Sequence, residues 1–211
     1  VAENERLAEN SSVRLCLDFA NTVDWRTSAQ PQELLTSYAD LVAWGQRAGI
    51  VPEGRARRLL EESVRGPTQA AATLERAIVL REAIYRIFAA MAAERAPESA
   101  DIATLNRALA ETMSRLQLAW AADGFAWRWS GDEDALDQLL WPVARSAAEL
   151  LTSDEVGRVG VCAGEGCGWL FFDTSKNRSR RWCSMQDCGN RAKARRHYRR
   201  HRAQDQDDEA G

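Results

Sequence analysis

Four of the chain's five cysteines are packed into one short segment, in the order Cys162-x4-Cys167-x15-Cys183-x4-Cys188. Thiolates are soft, charged ligands, and two close pairs joined by a short loop clasp a divalent ion from two sides. The chemistry this spacing predicts is a tetrahedral zinc site, one ion per chain. Two disulfides, or four unrelated buried thiols, are the alternatives. Val1 to Asn10 is acidic and lacks the basic start and apolar stretch of a secretory signal, so a cytoplasmic location with reduced thiols is expected, which disfavours the disulfides. Cys16, between Leu15 and Leu17, reads instead as a core residue.

The second chemical signal is charge. The net charge of −3 hides an asymmetry: of 28 basic and 31 acidic residues, 12 and 3 fall between Arg158 and Arg202, leaving 16 and 28 for the rest. After Cys188 the chain runs Gly189, Asn190, then Arg191 to Arg202 without a helix breaker and without an acid. On a helix Arg191 and Arg195 share a face with Tyr198, and Lys193, Arg196 and Arg200 occupy the neighbouring one. A solvated surface helix normally mixes signs, so this one points to phosphate. The candidate nucleic-acid contacts are Lys176, Arg178, Arg180 and Arg181 in the loop between the cysteine pairs, and Asn190, Arg191, Lys193, Arg195, Arg196, Arg199 and Arg200 on the helix.

These groups need elements to hold them. Around the cysteines, Trp169 to Phe172 is a β-prone run, Asp173 to Asn177 a polar turn and Arg180 to Trp182 a return strand, giving knuckle, hairpin and helix in treble-clef order. Trp169 and Trp182 serve as its miniature core. Val159 to Val161 reads as a short strand entering it. Upstream, helical periodicity marks Gln32 to Ala48, Glu53 to Val64, a long helix from Thr68 with Leu74, Ile78, Ile84, Phe88 and Met91 as its buried stripe, and another through Ile102 to Leu116. Two short strands flank Asp123-Gly124, and Leu136 to Leu150 is helical again, with Pro142 in its first turn or at a kink. The expected fold is therefore mainly α with a small β-hairpin: an N-terminal arm (1–12), a helical domain (13–155), a four-cysteine finger with its basic helix (156–202) and a disordered acidic tail (203–211). With 45% hydrophobic and 28% charged residues the chain fits a folded, water-soluble class, and no apolar run approaches the roughly 20 residues of a membrane helix.

Cys167-Gly-Trp-Leu-Phe-Phe-Asp, Asn177-Arg-Ser-Arg-Arg-Trp-Cys-Ser-Met and Cys188-Gly-Asn-Arg191-Ala-Lys resemble the bacterial CGNR zinc-finger family. Leu15-Cys-Leu-Asp-Phe-Ala-Asn-Thr22 resembles the opening motif of the ABATE domain, which precedes the finger in that family. The resemblance implies a stress-induced transcription regulator that binds DNA.

A regulator needs an input. Asp18, Asn21, Thr22 and Trp25 form a polar cluster after an apolar segment and are candidates for a small-molecule effector site, with local capping as the alternative reading. The helical domain is also a candidate for homodimer formation. No Gly-rich phosphate loop, nucleophile elbow or His–carboxylate pair is present, and both histidines lie in the basic helix, so no enzyme is expected. The leading expectation is a zinc-dependent DNA-binding regulator. An RNA- or ribosome-binding zinc protein and a thiol switch that ejects zinc on oxidation are the alternatives.

Overall fold

The computed structural model describes residues 14–121, 124–131, 134–196 and 198. The expected arm (1–12) and acidic tail (203–211) lie outside them. The first helix, α1 (residues 14–20), turns Cys16 and Phe19 into the core. Burial pushes the Cys16 thiol up to about 12, so it stays neutral in the core, as its leucine neighbours implied.

Strands β1 (Val23–Asp24) and β2 (Gln32–Glu33) pair antiparallel, and the helix expected from Gln32 starts only at α2 (Tyr38–Arg47). The cause is a capping box: Ser37 Oγ accepts from the Asp40 amide at 3.2 Å, while the Asp40 carboxylate accepts from the Ser37 amide at 2.8 Å. Helices α3 (Glu53–Arg65), α4 (Pro67–Ala92) and α5 (Ser99–Ser114) follow. Strands β3 (Leu116–Ala121) and β4 (Gly124–Trp129) form the expected hairpin. One tight helical turn (Leu136–Leu139) then leads into α6 (Leu140–Leu151), with Pro142 in the first turn, where it costs no helical hydrogen bond.

Helix α4 is the spine. Ala77, Leu80, Ile84, Ile87 and Phe88 are buried along it, and so is Arg81, at 2% exposure. The sequence reading left Arg81 out of the buried stripe and included Leu74, Ile78 and Met91, which are only half-buried. Arg81 stays charged in the core because Glu33 takes it with two bonds of 2.6 and 2.7 Å and Glu82 adds a third at 2.9 Å.

Beyond α6 the chain enters β5 (Val159–Val161), and its partner corrects the expected hairpin of the finger. Strand β6 (Leu170–Phe172) pairs with β5, Val159 opposite Phe172 and Val161 opposite Leu170, and not with Arg180 to Trp182. The physical reason lies on both sides of β6. Val159, Leu170 and Phe172 join the same hydrophobic core as the helices, which pulls β5 and β6 together. On the other side the ladder position is taken by a side chain: Arg180 donates to the Phe172 carbonyl at 3.1 Å, and Asp173 closes the loop by accepting from the Ser175 and Arg180 amides. No helix among the described residues is long and apolar enough to cross a membrane.

Candidate metal centre and basic helix

The first cysteine pair sits in a knuckle after β5. The Cys162 amide donates to the Trp169 carbonyl at 2.8 Å and the Cys167 amide to that of Gly164 at 3.0 Å, so the chain turns back with both sulfurs on one side. The second pair enters on a helical start: Ser184 Oγ caps the Asp187 amide, and a wide turn (Met185–Gly189) carrying Cys188 continues into α7 (residues 190–196). The basic helix therefore begins one turn before Asn190, where the sequence placed its start. Asn190 does not cap it; its side-chain amide donates back to the Gln186 carbonyl at 2.9 Å.

Zinc holds thiolates at about 2.3 Å, which in a tetrahedron sets sulfur–sulfur separations of roughly 3.8 Å. Cys183 Sγ lies 3.7 Å from both Cys167 Sγ and Cys188 Sγ, and all four sulfurs lie within 4.8 Å of one another. Gly164 forms part of the cradle: a Cβ there would lie 2.9 Å from Cys188 Sγ and 3.3 Å from Cys162 Sγ. Burial opposes ionisation of Cys162, but amide bonds from Cys183 and Gly164 hold its thiol below the ordinary value. Cys167 is pushed up to about 12 by burial and by the charge on Cys162, and Cys183 is raised for the same reasons. The charge on Cys162 thus suppresses ionisation of Cys167 and Cys183, a repulsion that a bound cation would relieve. The donor set fits zinc, which Cys162, Cys167, Cys183 and Cys188 would hold as a structural ion with no open position. Arg191 offsets the surplus negative charge: its guanidinium donates to Cys188 Sγ at 2.9 Å.

The helical domain grips this centre through a strap from Asn21 to Thr27. Asn21 bonds the Leu170 backbone twice at 2.8 Å, as donor and acceptor. The Arg26 and Thr27 amides donate to the carbonyls of Cys167 and Gly166, and Trp169 Nε1 donates to the Val23 carbonyl at 2.9 Å. Gly168, at φ +68°, approaches so closely that a Cβ would lie 2.5 Å from the Thr27 side chain. Arg26 reaches back to Glu82 on α4 at 2.7 Å and stacks on Tyr85, whose hydroxyl donates to the Gly168 carbonyl. Sequence reasoning missed Arg26, Thr27 and Tyr85; only the contacts made across the fold reveal them.

The four effector candidates divide. Asp18 is exposed on α1, and Asn21 and Thr22 are used internally, Thr22 donating to the Phe19 carbonyl and accepting from Arg81. Trp25 points the other way. Its ring carries the Arg191 guanidinium at 4.5 Å and lines a cavity of ≈ 220 Å³ with Asp24, Cys167, Trp169 and Ser184. The structure does not bring the four into one pocket.

The basic candidates divide as well. Lys176, Arg178, Arg181, Lys193 and Arg196 are exposed and pair with no described acid. Arg195 pairs with Glu165. Arg180 lies over Phe171 and donates to the carbonyls of Phe172, Trp182 and Cys183, so it works in the fold. Trp169 and Trp182 pack against the buried cysteines and Phe171, as a miniature core should. Arg199 and Arg200 lie outside the described residues.

A family model for the ABATE domain, described as "Putative stress-induced transcription regulator", matches residues 13–154. The chain belongs to the ABATE family. A CGNR zinc-finger model matches residues 158–201 and takes in all four cysteines and α7. A comparison with curated proteins gives no match. The two matched segments meet between Asp154 and Arg158, yet the ABATE strap and the CGNR knuckle share hydrogen bonds and one core, so the two motifs fold as a joint structure.

Proposed function

We propose that this chain is a zinc-dependent DNA-binding transcription regulator, a binding protein and not an enzyme. Its finger contacts the phosphates of a duplex, and its ABATE domain receives the input. The observation that carries this reading is the fixed root of a basic surface. Cys188 holds the first turn leading into α7, and Lys193 and Arg196 on that helix, with Lys176, Arg178 and Arg181 on the loop, expose five positive charges without a described acidic partner. A surface of one sign, held rigid by a metal centre, suits a polyanion because little side-chain and backbone freedom remains to be lost on binding.

The input site of this reading is the groove between α4, α5 and α6, of ≈ 270 Å³, with Leu80, Ala108, Leu140 and Trp141 among its walls and Arg76 and Arg107 at its rim. It replaces the Asp18–Trp25 cluster, of which the fold uses Asn21 and Thr22 internally and turns Asp18 and Trp25 apart. An apolar floor with a few polar groups is the usual form of a small-molecule site.

Fluorescence anisotropy of labelled duplex DNA across a salt series tests the DNA reading. Replacing Lys176, Arg178, Arg181, Lys193 and Arg196 by alanine should flatten the log–log salt slope by roughly 4 to 5. An unchanged slope, or binding confined to RNA, overturns it.

A further inference from the structure

The β3–β4 hairpin is amphipathic across its width. Leu116 faces Trp129, Leu118 faces Trp127 and Trp120 faces Phe125, so these six side chains project to one side, while Gln117, Ala119, Ala126 and Arg128 project to the other. The inner end of the apolar face is anchored on the body, where Trp129 meets the Trp141 ring at 5.8 Å. The outer end is open: Trp120 and Phe125 are each 73% exposed, Leu118 61% and Trp127, whose ring carries the Arg145 guanidinium at 5.7 Å, 55%. Trp120 and Phe125 pack edge-to-face on each other.

We propose that this face is a homodimer interface, in which the outer halves of two hairpins from two copies of the chain pack against each other about a two-fold axis. Three observations favour a second copy over other occupants. The six side chains are uncharged, and the cation that borders them, Arg145 over the Trp127 ring at 5.7 Å, is paired with Glu149, so the face is complementary to itself, as a two-fold interface must be, and a like surface meets it without burying an unpaired ion. Its size fits. Aromatic side chains bury about 150–250 Å² each, so these four exposed residues offer roughly 500 Å² per copy, and two copies reach the roughly 1,000 Å² that a specific interface needs. The third is the charge around it: outside Arg158 to Arg202 the chain holds 16 basic and 28 acidic residues, which repels the anionic lipid surface that an exposed tryptophan hairpin would otherwise suit. A two-stranded hairpin is marginal alone in water, and covering this face supplies the packing it lacks.

Sedimentation of the full zinc-loaded chain without nucleic acid tests the interface separately from the DNA reading. The expected mass is twice the 23.6 kDa of one chain at micromolar concentration, with tryptophan emission shifting to the red on dilution. The double variant Trp120→Ser/Phe125→Ser should sediment as a monomer with unchanged zinc content and far-ultraviolet circular dichroism. Ala126→Glu, on the opposite face, should remain dimeric. If the double variant misfolds, Leu118→Lys provides the same reading at the edge of the patch. A monomeric wild type, including one that binds anionic vesicles, overturns the proposal, as does a dimer that survives Trp120→Ser/Phe125→Ser and Leu118→Lys or is lost only with Ala126→Glu.

Discussion

The molecule contains two aromatic-rich antiparallel hairpins of opposite fate. In β5–β6, Leu170, Phe171 and Phe172 are exposed by only 2%, 7% and 8%, whereas in β3–β4 Trp120 and Phe125 keep 73% of their surface. The sequences differ in pattern. Leu170-Phe-Phe is apolar at every position, so both its faces must be covered, and they are: Leu170 and Phe172 enter the helical core while Phe171 turns to the cysteines. Leu116 to Ala121 alternates, so one face goes to solvent by design and the other awaits cover. A strand pair this short is held by what packs on it, not by its own ladder. Helices and metal centre supply that cover for β5–β6, whereas the body meets β3–β4 at Trp129, through Trp141, and at Trp127, through Arg145.

The largest break in this comparison is removal of the metal. Structural zinc contributes binding free energy directly to folding, on the order of 10 kcal/mol in small fingers. Because Val159, Leu170 and Phe172 of β5–β6 join the core of the helices, Cys188→Ser should lower the thermal midpoint of the helical domain as well as that of the finger. Differential scanning calorimetry with parallel zinc analysis checks this. A helical domain that melts unchanged after metal loss would show that the two matched segments are energetically separate.

A second prediction sharpens the contrast with single side chains. Phe172→Ala removes a ring from the closed core and should cost about 3–5 kcal/mol. Trp127→Ala removes a larger ring from the open hairpin and should cost about 1 kcal/mol or less in dilute protein, where chains are separate. Urea unfolding at low protein concentration measures both, and equal costs would mean that β3–β4 is already covered within one chain.

Much of this was legible in the sequence, for a physical reason. Metal ligands and helix faces are local patterns, so the four thiols, the helices and the β3–β4 pair could be read from spacing. Pairing across long separations could not. The run Val159 to Val161 looked like a lead-in to the finger, and only its contact with Leu170 to Phe172 shows that it closes the core. Two continuous apolar runs, each demanding cover on both faces, were the available signal. Arg81 and Arg180 escaped because composition assigns arginine to the surface, while Glu33 and Glu82 bury the first and three backbone carbonyls hold the second. Trp25 was singled out as a ligand contact. Its actual partner is Arg191, 166 positions away, which no local pattern contains.

The smallest expected effect concerns that pair. Arg191 lies in the second turn after Ser184, and its guanidinium is already engaged on both sides, donating to Cys188 Sγ at 2.9 Å and lying over the Trp25 ring at 4.5 Å. A fork held against a cysteine sulfur and an aromatic face is oriented by the fold, so the expected role of Arg191 is to steady the root of α7 rather than to read bases. Arg191→Lys keeps the positive charge but loses the planar stack and the aligned donor. It should therefore weaken zinc retention slightly and reduce DNA affinity by about 1 kcal/mol or less, equally on a selected duplex and on random sequence. Trp25→Ala, which removes the other side of the stack, should have the same signature. Competition binding with both duplexes, beside a chelator titration, separates the accounts. A loss of about 1–3 kcal/mol confined to the selected duplex, with zinc affinity unchanged, is the behaviour of a base-reading arginine and would move Arg191 from the fold to the interface.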